Sequence, residues 1–177
     1  MSRDWAVFYL VRSSKNEKKI PVIIDREIAW QLINSIRTIH NHTFFLLLYT
    51  CGLRSSEALR LKPKDIDAKR MVIRIVMSKG KRTREVPITP LTLLKLRQYW
   101  VTHRNPNFIF PAVGQNMKGG PTATKHMILS STQDVLRKAC HELKLTQKIT
   151  PHTFRHCYAT HLLDAGVNIR MVQIFLG

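Results

Sequence analysis

Hydrophobic and polar positions alternate along the chain in two rhythms, and these predict most of its elements. After Asp25, apolar residues recur at Ile28, Ala29, Leu32, Ile33 and Ile36. That spacing lines one face of an α-helix, and Asp25 stands where a short acceptor side chain caps a helix start. Phe44 to Tyr49 is an apolar run that predicts a second helix. Gly52 is placed to end it, because glycine accepts the left-handed backbone found past many helices. A short third helix is predicted from near Ser55 to before Pro63. The rhythm then changes. Met71–Met77 (MVIRIVM) and Arg84–Ile88 (REVPI) flank the basic stretch Ser78–Thr83, which predicts a β-hairpin with a basic turn. Thr89 and Pro90 open a helix through Leu91, Leu94 and Tyr99. Residues 103–129 read as a long connection carrying the apolar patch Phe108–Phe110, of the kind that is often functional or mobile. Val135, Ala139 and Leu143 predict a helix from about Ser131 to Leu143. Thr150-Pro151 starts another that ends at Gly166, and Asn168 caps a last one, Ile169 to Leu176. Residues 1–20 close on the charged stretch Lys15–Lys19 and read as a linker or a remnant of an upstream segment. No internal repeat or low-complexity segment interrupts the pattern.

Composition narrows the class. The 177 residues suit one domain, and 44% hydrophobic content is enough for a true core. Lys and Arg total 29 against 11 Asp and Glu, giving a formal charge of +18. Solubility does not need so large an excess. It points to a polyanionic partner, most simply nucleic acid, although charge alone also fits a ribosome-type or merely basic protein. An anionic membrane surface fits less well, because no long basic amphipathic helix stands out. Cys51, Cys140 and Cys157 form no CxxC pair, the usage of reduced thiols in a cytosol. Trp5 to Val11 is too short to span a bilayer and lacks a signal-cleavage pattern. The expected location is therefore cytoplasmic, on the nucleoid if the source is bacterial.

Two segments carry candidate chemistry: Thr50–Leu59 (TCGLRSSEAL) and Pro151–Leu163 (PHTFRHCYATHLL). In the first, Arg54 follows the helix-ending glycine and can project into a cleft. Glu57 lies one turn further on, within reach of its guanidinium. Taken alone, that pair reads as a surface ion pair. In the second, His152 and Arg155 share a face near a helix start, beside favourable backbone N–H dipoles, which suits a phosphate. Phe154, Tyr158 and Leu162 fall on another face and read as core. His152 and His156 have zinc-ligand spacing, but no HExxH or CxxC accompanies them. Lys79, in the basic turn, reads by itself as a solvated lysine. A metal-dependent nuclease would need a carboxylate cluster, and only 11 acidic residues are scattered here.

The combination and its order resemble the catalytic domain of tyrosine recombinases, the phage-integrase family that includes integron integrases and Xer-type resolvases. The matching pieces are Gly52-Leu53-Arg54-Ser55-Ser56-Glu57, the turn Ser78-Lys79-Gly80-Lys81, His152 to Leu163, and Ile174-Phe175-Leu176-Gly177. The resemblance implies a mainly α-helical α+β catalytic domain over 21–177 with a small antiparallel sheet. It implies double-stranded DNA as partner, no membrane, and no metal or other cofactor. Intact members of the family assemble as homotetramers on DNA; the chain as given is expected to be monomeric. Residue by residue, Arg54 and Arg155 would clamp the non-bridging oxygens of the scissile phosphate, and His152 would hydrogen-bond it. Lys79 would protonate the leaving 5′ oxygen, and Glu57 would support the first arginine. In the family, Leu-Gly is followed by a histidine and, roughly ten residues later, by the nucleophilic tyrosine. Both positions fall beyond Gly177, so the catalytic domain is expected to be C-terminally incomplete and the chain by itself unable to cleave DNA. The remaining tyrosines, Tyr9, Tyr49, Tyr99 and Tyr158, do not match the nucleophile's place. The expected function is DNA binding within site-specific recombination or integration. The alternative is a non-catalytic DNA-binding protein acting as a regulator or competitor.

Overall fold

The computed structural model describes residues 21–76, 83–114 and 118–177. Trp5–Val11, the linker reading of 1–20 and the hairpin turn with Lys79 lie outside the described residues.

Helix α1 spans Arg26–Ser35 and buries Ala29, Leu32 and Ile33. Asp25 occupies the N-cap position as predicted, but its side chain makes no cap hydrogen bond. Helix α2, Ile39–Cys51, has an unbroken buried run from Thr43 to Tyr49. A helix apolar on all sides belongs in the centre of a domain. It is followed by the short helix α3, Ser55–Leu59.

The sheet is antiparallel in the order β1-β2-β3, with β1 Ile66–Asp67, β2 Val72–Val76 and β3 Thr83–Pro87. The predicted hairpin is β2 and β3. Strand β1 was not predicted, because two residues after a 3-10 turn (Pro63–Asp65) carry no periodicity to read. In register, Ile73 faces Val86 and Ile75 faces Arg84 on the inner side. On the outer side Arg74 faces Glu85, and Arg70 grips the same carboxylate with two hydrogen bonds of 2.7 Å.

Helix α4, Pro90–Val101, starts as its Thr-Pro pair predicts, with the Thr89 hydroxyl accepting from the Thr92 N–H at 3.2 Å. Helix α5 runs Leu129–Glu142, beginning slightly before the predicted Ser131. Helix α6 covers Pro151–Asp164 and α7 covers Ile169–Leu176, where the Asn168 carboxamide oxygen accepts from the Arg170 N–H at 2.8 Å. Around the central α2 pack α6, α4, α1 and α3. Ring contacts fasten this core: Phe45 to Phe154 at 5.2 Å and Phe44 to Phe110 at 5.6 Å between centroids.

The connection from residue 103 is anchored where it is described. Asn105 is fully buried. Its amide donates to the carbonyls of Gly120 at 2.7 Å and Ala123 at 2.9 Å, while its oxygen accepts from the N–H groups of Asn107 and Phe108. Ile109 and Phe110 sink into the core, and the Ile109 N–H donates to the Leu61 carbonyl at 2.8 Å. No helix among the described residues is long and apolar enough to cross a membrane.

Candidate active site

The site is built where the chain leaves α2. Gly52 sits at φ 60 and reverses the backbone. Arg54 then takes the N-cap position of α3. The first N–H groups of a helix lack intrahelical partners. Glu57, in the first turn, supplies one by accepting from the Arg54 N–H through Oε2 at 2.8 Å. The same carboxylate accepts from the Arg54 guanidinium through Oε1 at 3.0 Å. Local capping chemistry thus fixes both the backbone and the side chain of Arg54.

Two further guanidiniums converge on this point. Arg84, inward-facing on β3, donates to both oxygens of Glu57 at 2.8 and 2.7 Å. Its Nε donates to the Phe175 carbonyl at 2.8 Å. Arg155, in the second turn of α6, donates to the Gly52 carbonyl at 2.7 Å and to the Leu176 carbonyl at 2.8 Å. Its Nη1 lies 3.9 Å from Glu57 Oε2, an ion-pair distance without a hydrogen bond. The Arg54 side chain is 41% exposed, against 5% for Arg84 and 13% for Glu57. Arg54 and Glu57 are therefore not a simple surface pair. The cluster has a buried base and one open edge.

The electrostatics follow from that geometry. Burial pushes the Glu57 carboxyl upward, but the Arg84 hydrogen bonds, the Arg54 N–H and the two guanidiniums outweigh it and hold its pKa below the ordinary value. Burial, then the neighbouring Arg54 charge, lowers the Arg155 guanidinium to about 10, which leaves it cationic at neutral pH. His152, at the start of α6, is exposed, and its ring meets that of His156 edge-on with centroids 4.5 Å apart. Partial burial, then the charges of His156, Arg155 and Arg54, lowers its pKa from the ordinary value. A neutral imidazole at pH 7 keeps one N–H donor.

Arg54, Glu57 and Arg155 are thus brought together, and His152 lies near enough for the charges of Arg155 and Arg54 to act on its ring. Lys79 lies outside the described residues. Arg84 was missed by sequence reading. Its signal was available: alternation along REVPI puts residue 84 on the same inner face as Val86, and a charged residue there needs a partner. Beside the cluster lies an open groove of about 600 Å³ whose lining includes Arg54, Glu57, Arg60, Lys62, Lys64 and Arg74. Phe154 and Tyr158 are buried as expected, whereas Leu162 is only half-buried, near the exposed end of α6. Tyr49, Tyr99 and Tyr158 are all buried and their hydroxyls are shifted upward in pKa, first by burial. Tyr49 is also engaged, with its hydroxyl 2.9 Å from His161 Nδ1.

Known proteins resemble this chain in sequence and in fold. A tyrosine recombinase of Pseudothermotoga lettingae is 35% identical over 170 residues, covering 94% of this chain and 56% of the relative. The tyrosine recombinase XerC of Halalkalibacterium halodurans is 29% identical over 186 residues, covering 96% of this chain and 58% of the relative. The chain therefore spans little more than half the length of these curated relatives. Among solved structures, a crystal structure of XerA recombinase superposes with a TM-score of 0.75 at 24% identity, over 89% of this chain and 56% of that one. The XerH site-specific recombinase bound to its difH substrate gives a TM-score of 0.73 at 22% identity, over 90% of this chain and 47% of that one. These likenesses show a shared fold. The model of the phage integrase family matches residues 11–177, nearly the whole sequence, and the chain belongs to that family.

Proposed function

We propose that residues 21–177 form the DNA-binding catalytic unit of a site-specific recombinase, and that the open edge of the arginine cluster receives the scissile phosphate. One observation carries this reading. Arg155 reaches back to Gly52, 103 positions away in sequence, so that its guanidinium and that of Arg54 flank one carboxylate. Three guanidiniums around a single carboxylate leave an excess of two positive charges at one spot. A phosphodiester in its transition state spreads negative charge over its non-bridging oxygens, and preorganised cations aimed there lower the barrier. In this reading Arg54 and Arg155 hold those oxygens, and neutral His152 donates a further hydrogen bond. Lys79, from the hairpin turn, protonates the leaving 5′ oxygen. Glu57 sets the angle of Arg54. The reaction stores the broken bond as a phosphotyrosine and needs no ATP to rejoin the strand. Buried Tyr49, Tyr99 and Tyr158 do not serve as that nucleophile. Residues 1–20 act as a linker, and the intact protein assembles as a homotetramer on DNA. The protein binds duplex DNA, and the groove lined by Arg60, Lys62, Lys64 and Arg74 supports a path for the backbone beside the cluster.

The test is a fluorescence-anisotropy titration of labelled duplex at several salt concentrations. Log affinity should fall linearly with log salt, at a slope of roughly −0.9 per phosphate neutralised. Arg54→Ala and Arg155→Ala should each weaken binding by about tenfold or more, as expected for loss of a charge-assisted hydrogen bond. No binding at low salt, or an affinity indifferent to salt, refutes the reading. A nicked suicide substrate run on a denaturing gel should give no adduct with the 177-residue chain; an adduct would reassign the nucleophile to one of its tyrosines.

A further inference from the structure

Glu57 is the shared partner of the cluster, and its acceptor capacity is full. A carboxylate offers about four lone-pair sites. Oε1 accepts from Arg54 Nη1 and Arg84 Nη1, and Oε2 accepts from the Arg54 N–H and Arg84 Nη2. Half of that capacity is taken by one residue, Arg84, which comes from β3 and whose side chain is only 5% exposed. Arg84 is held from its other side by the Phe175 carbonyl at 2.8 Å, so its fork is fixed in place. Arg155 meanwhile waits 3.9 Å from Oε2, close enough to pair if an acceptor site came free.

We propose that Arg84 is a positioning residue of the phosphate site: by filling both oxygens of Glu57 from the strand side, it keeps that carboxylate from capturing Arg155 and leaves for an oxyanion those N–H groups of Arg54 and Arg155 that are not spent on Glu57 and on the Gly177, Gly52 and Leu176 carbonyls. The proposal rests on the reading of the cluster as a phosphate site. It also gives the buried ion a reason to exist. A guanidinium at an inner strand position, opposite Ile75, costs desolvation that an apolar side chain would avoid. Without it the cluster would hold two guanidiniums and one carboxylate, and the carboxylate would neutralise the very groups that must face the phosphate. A lysine would keep the charge but cannot span two oxygens, so it would restrain Glu57 only in part.

The experiment compares Arg84→Met, Arg84→Lys and the pair Glu57→Gln with Arg84→Met, each checked for folding by circular dichroism. Duplex affinity is measured at one low salt concentration, and the Arg155 Nε–H resonance is followed in the DNA-free protein. Arg84→Met should weaken duplex binding at least tenfold and shift the Arg155 resonance. The double variant, with no carboxylate left to capture Arg155, should return that resonance toward its parent position and recover at least threefold of the lost affinity. Arg84→Lys should fall between parent and Arg84→Met. A merely structural role would make the double variant no better than the single one, and that result overturns the proposal; so does an Arg84→Met protein that binds as the parent does. Should Arg84→Met fail to fold, the same comparison is made with Arg84→Lys alone and with Glu57→Gln. The resonance arm reads the Glu57–Arg155 relation without DNA. A parent that shows no DNA binding therefore refutes the phosphate-site reading, while the resonance arm still decides the role of Arg84: an Arg155 resonance unmoved by Arg84→Met overturns it.

Discussion

Gly52→Ala is the most demanding single test of how this site is held. Two independent costs arise at that position. The backbone stands at φ +60, where a side-chain-bearing residue pays about 1–2 kcal/mol relative to glycine. An added Cβ would also stand 2.7 Å from Tyr158 Cε1 and 3.0 Å from Tyr158 Cγ, inside van der Waals contact with a buried ring. Relieving such overpacking costs about 1–3 kcal/mol. The sum, about 2–5 kcal/mol, corresponds to a fall in Tm of roughly 4–20 °C for a domain of this size. The damage should reach the site, because the Gly52 carbonyl is the acceptor that fixes Arg155 at 2.7 Å. Differential scanning calorimetry and duplex anisotropy on the same preparations provide the readout. A double-mutant cycle with Tyr158→Leu separates the two costs: shrinking the ring should remove the clash and leave the backbone term, giving a coupling of about 1–3 kcal/mol. A Gly52→Ala protein melting within about 2 °C of the parent, which is below about 1 kcal/mol, would refute the reasoning. A strictly additive cycle would refute the part assigned to Tyr158.

Two further outcomes are expected. Asn105→Ala should destabilise by about 1–3 kcal/mol, because it removes the partners of the part-buried Asn107 and Phe108 N–H groups and of the Gly120 and Ala123 carbonyls that the buried carboxamide now serves; urea unfolding measures the loss, and unchanged stability would show that the connection does not depend on it. Glu57 is held below its ordinary pKa, so its contribution to stability is present above the unfolded-state value near about 4.3 and is lost as pH falls through the folded value. The stability gap between the parent and Glu57→Gln should therefore be constant above about pH 5 and shrink below about pH 4, with a gap that widens on acidification as the contrary result.

Much of this architecture was readable because it is local. Gly52 ending α2, Thr89-Pro90 opening α4 and Asn168 capping α7 are each decided by a few neighbouring residues. The placement of Arg54 and His152 was legible for the same reason, since each sits at a helix start whose sequence announces it, with Arg155 one turn further along α6. Asp25 shows the limit: the residue type marked the right position, yet its carboxylate makes no cap bond. Arg84 shows a deeper one. Its partners are Glu57 and the Phe175 carbonyl, 27 and 91 positions away, and no local rule pairs them. Strand β1 escaped notice because its two residues owe their state to pairing with β2, with Ile66 opposite Ile73.

Helix α7 has eight residues, of which only Val172 is buried, and helices so short are marginal on their own in water. Its final turn ends on carbonyls that a helix cannot satisfy by itself. Those of Phe175 and Leu176 are met by Arg84 and Arg155. The start of α7 is encoded locally by Asn168, but the order of its last turn is borrowed from the charged cluster. Amide hydrogen exchange along Gln173–Leu176 consequently serves as a built-in gauge: any change that disperses the guanidiniums should register there as faster exchange, distant in sequence from the residue that was altered and without a ligand present.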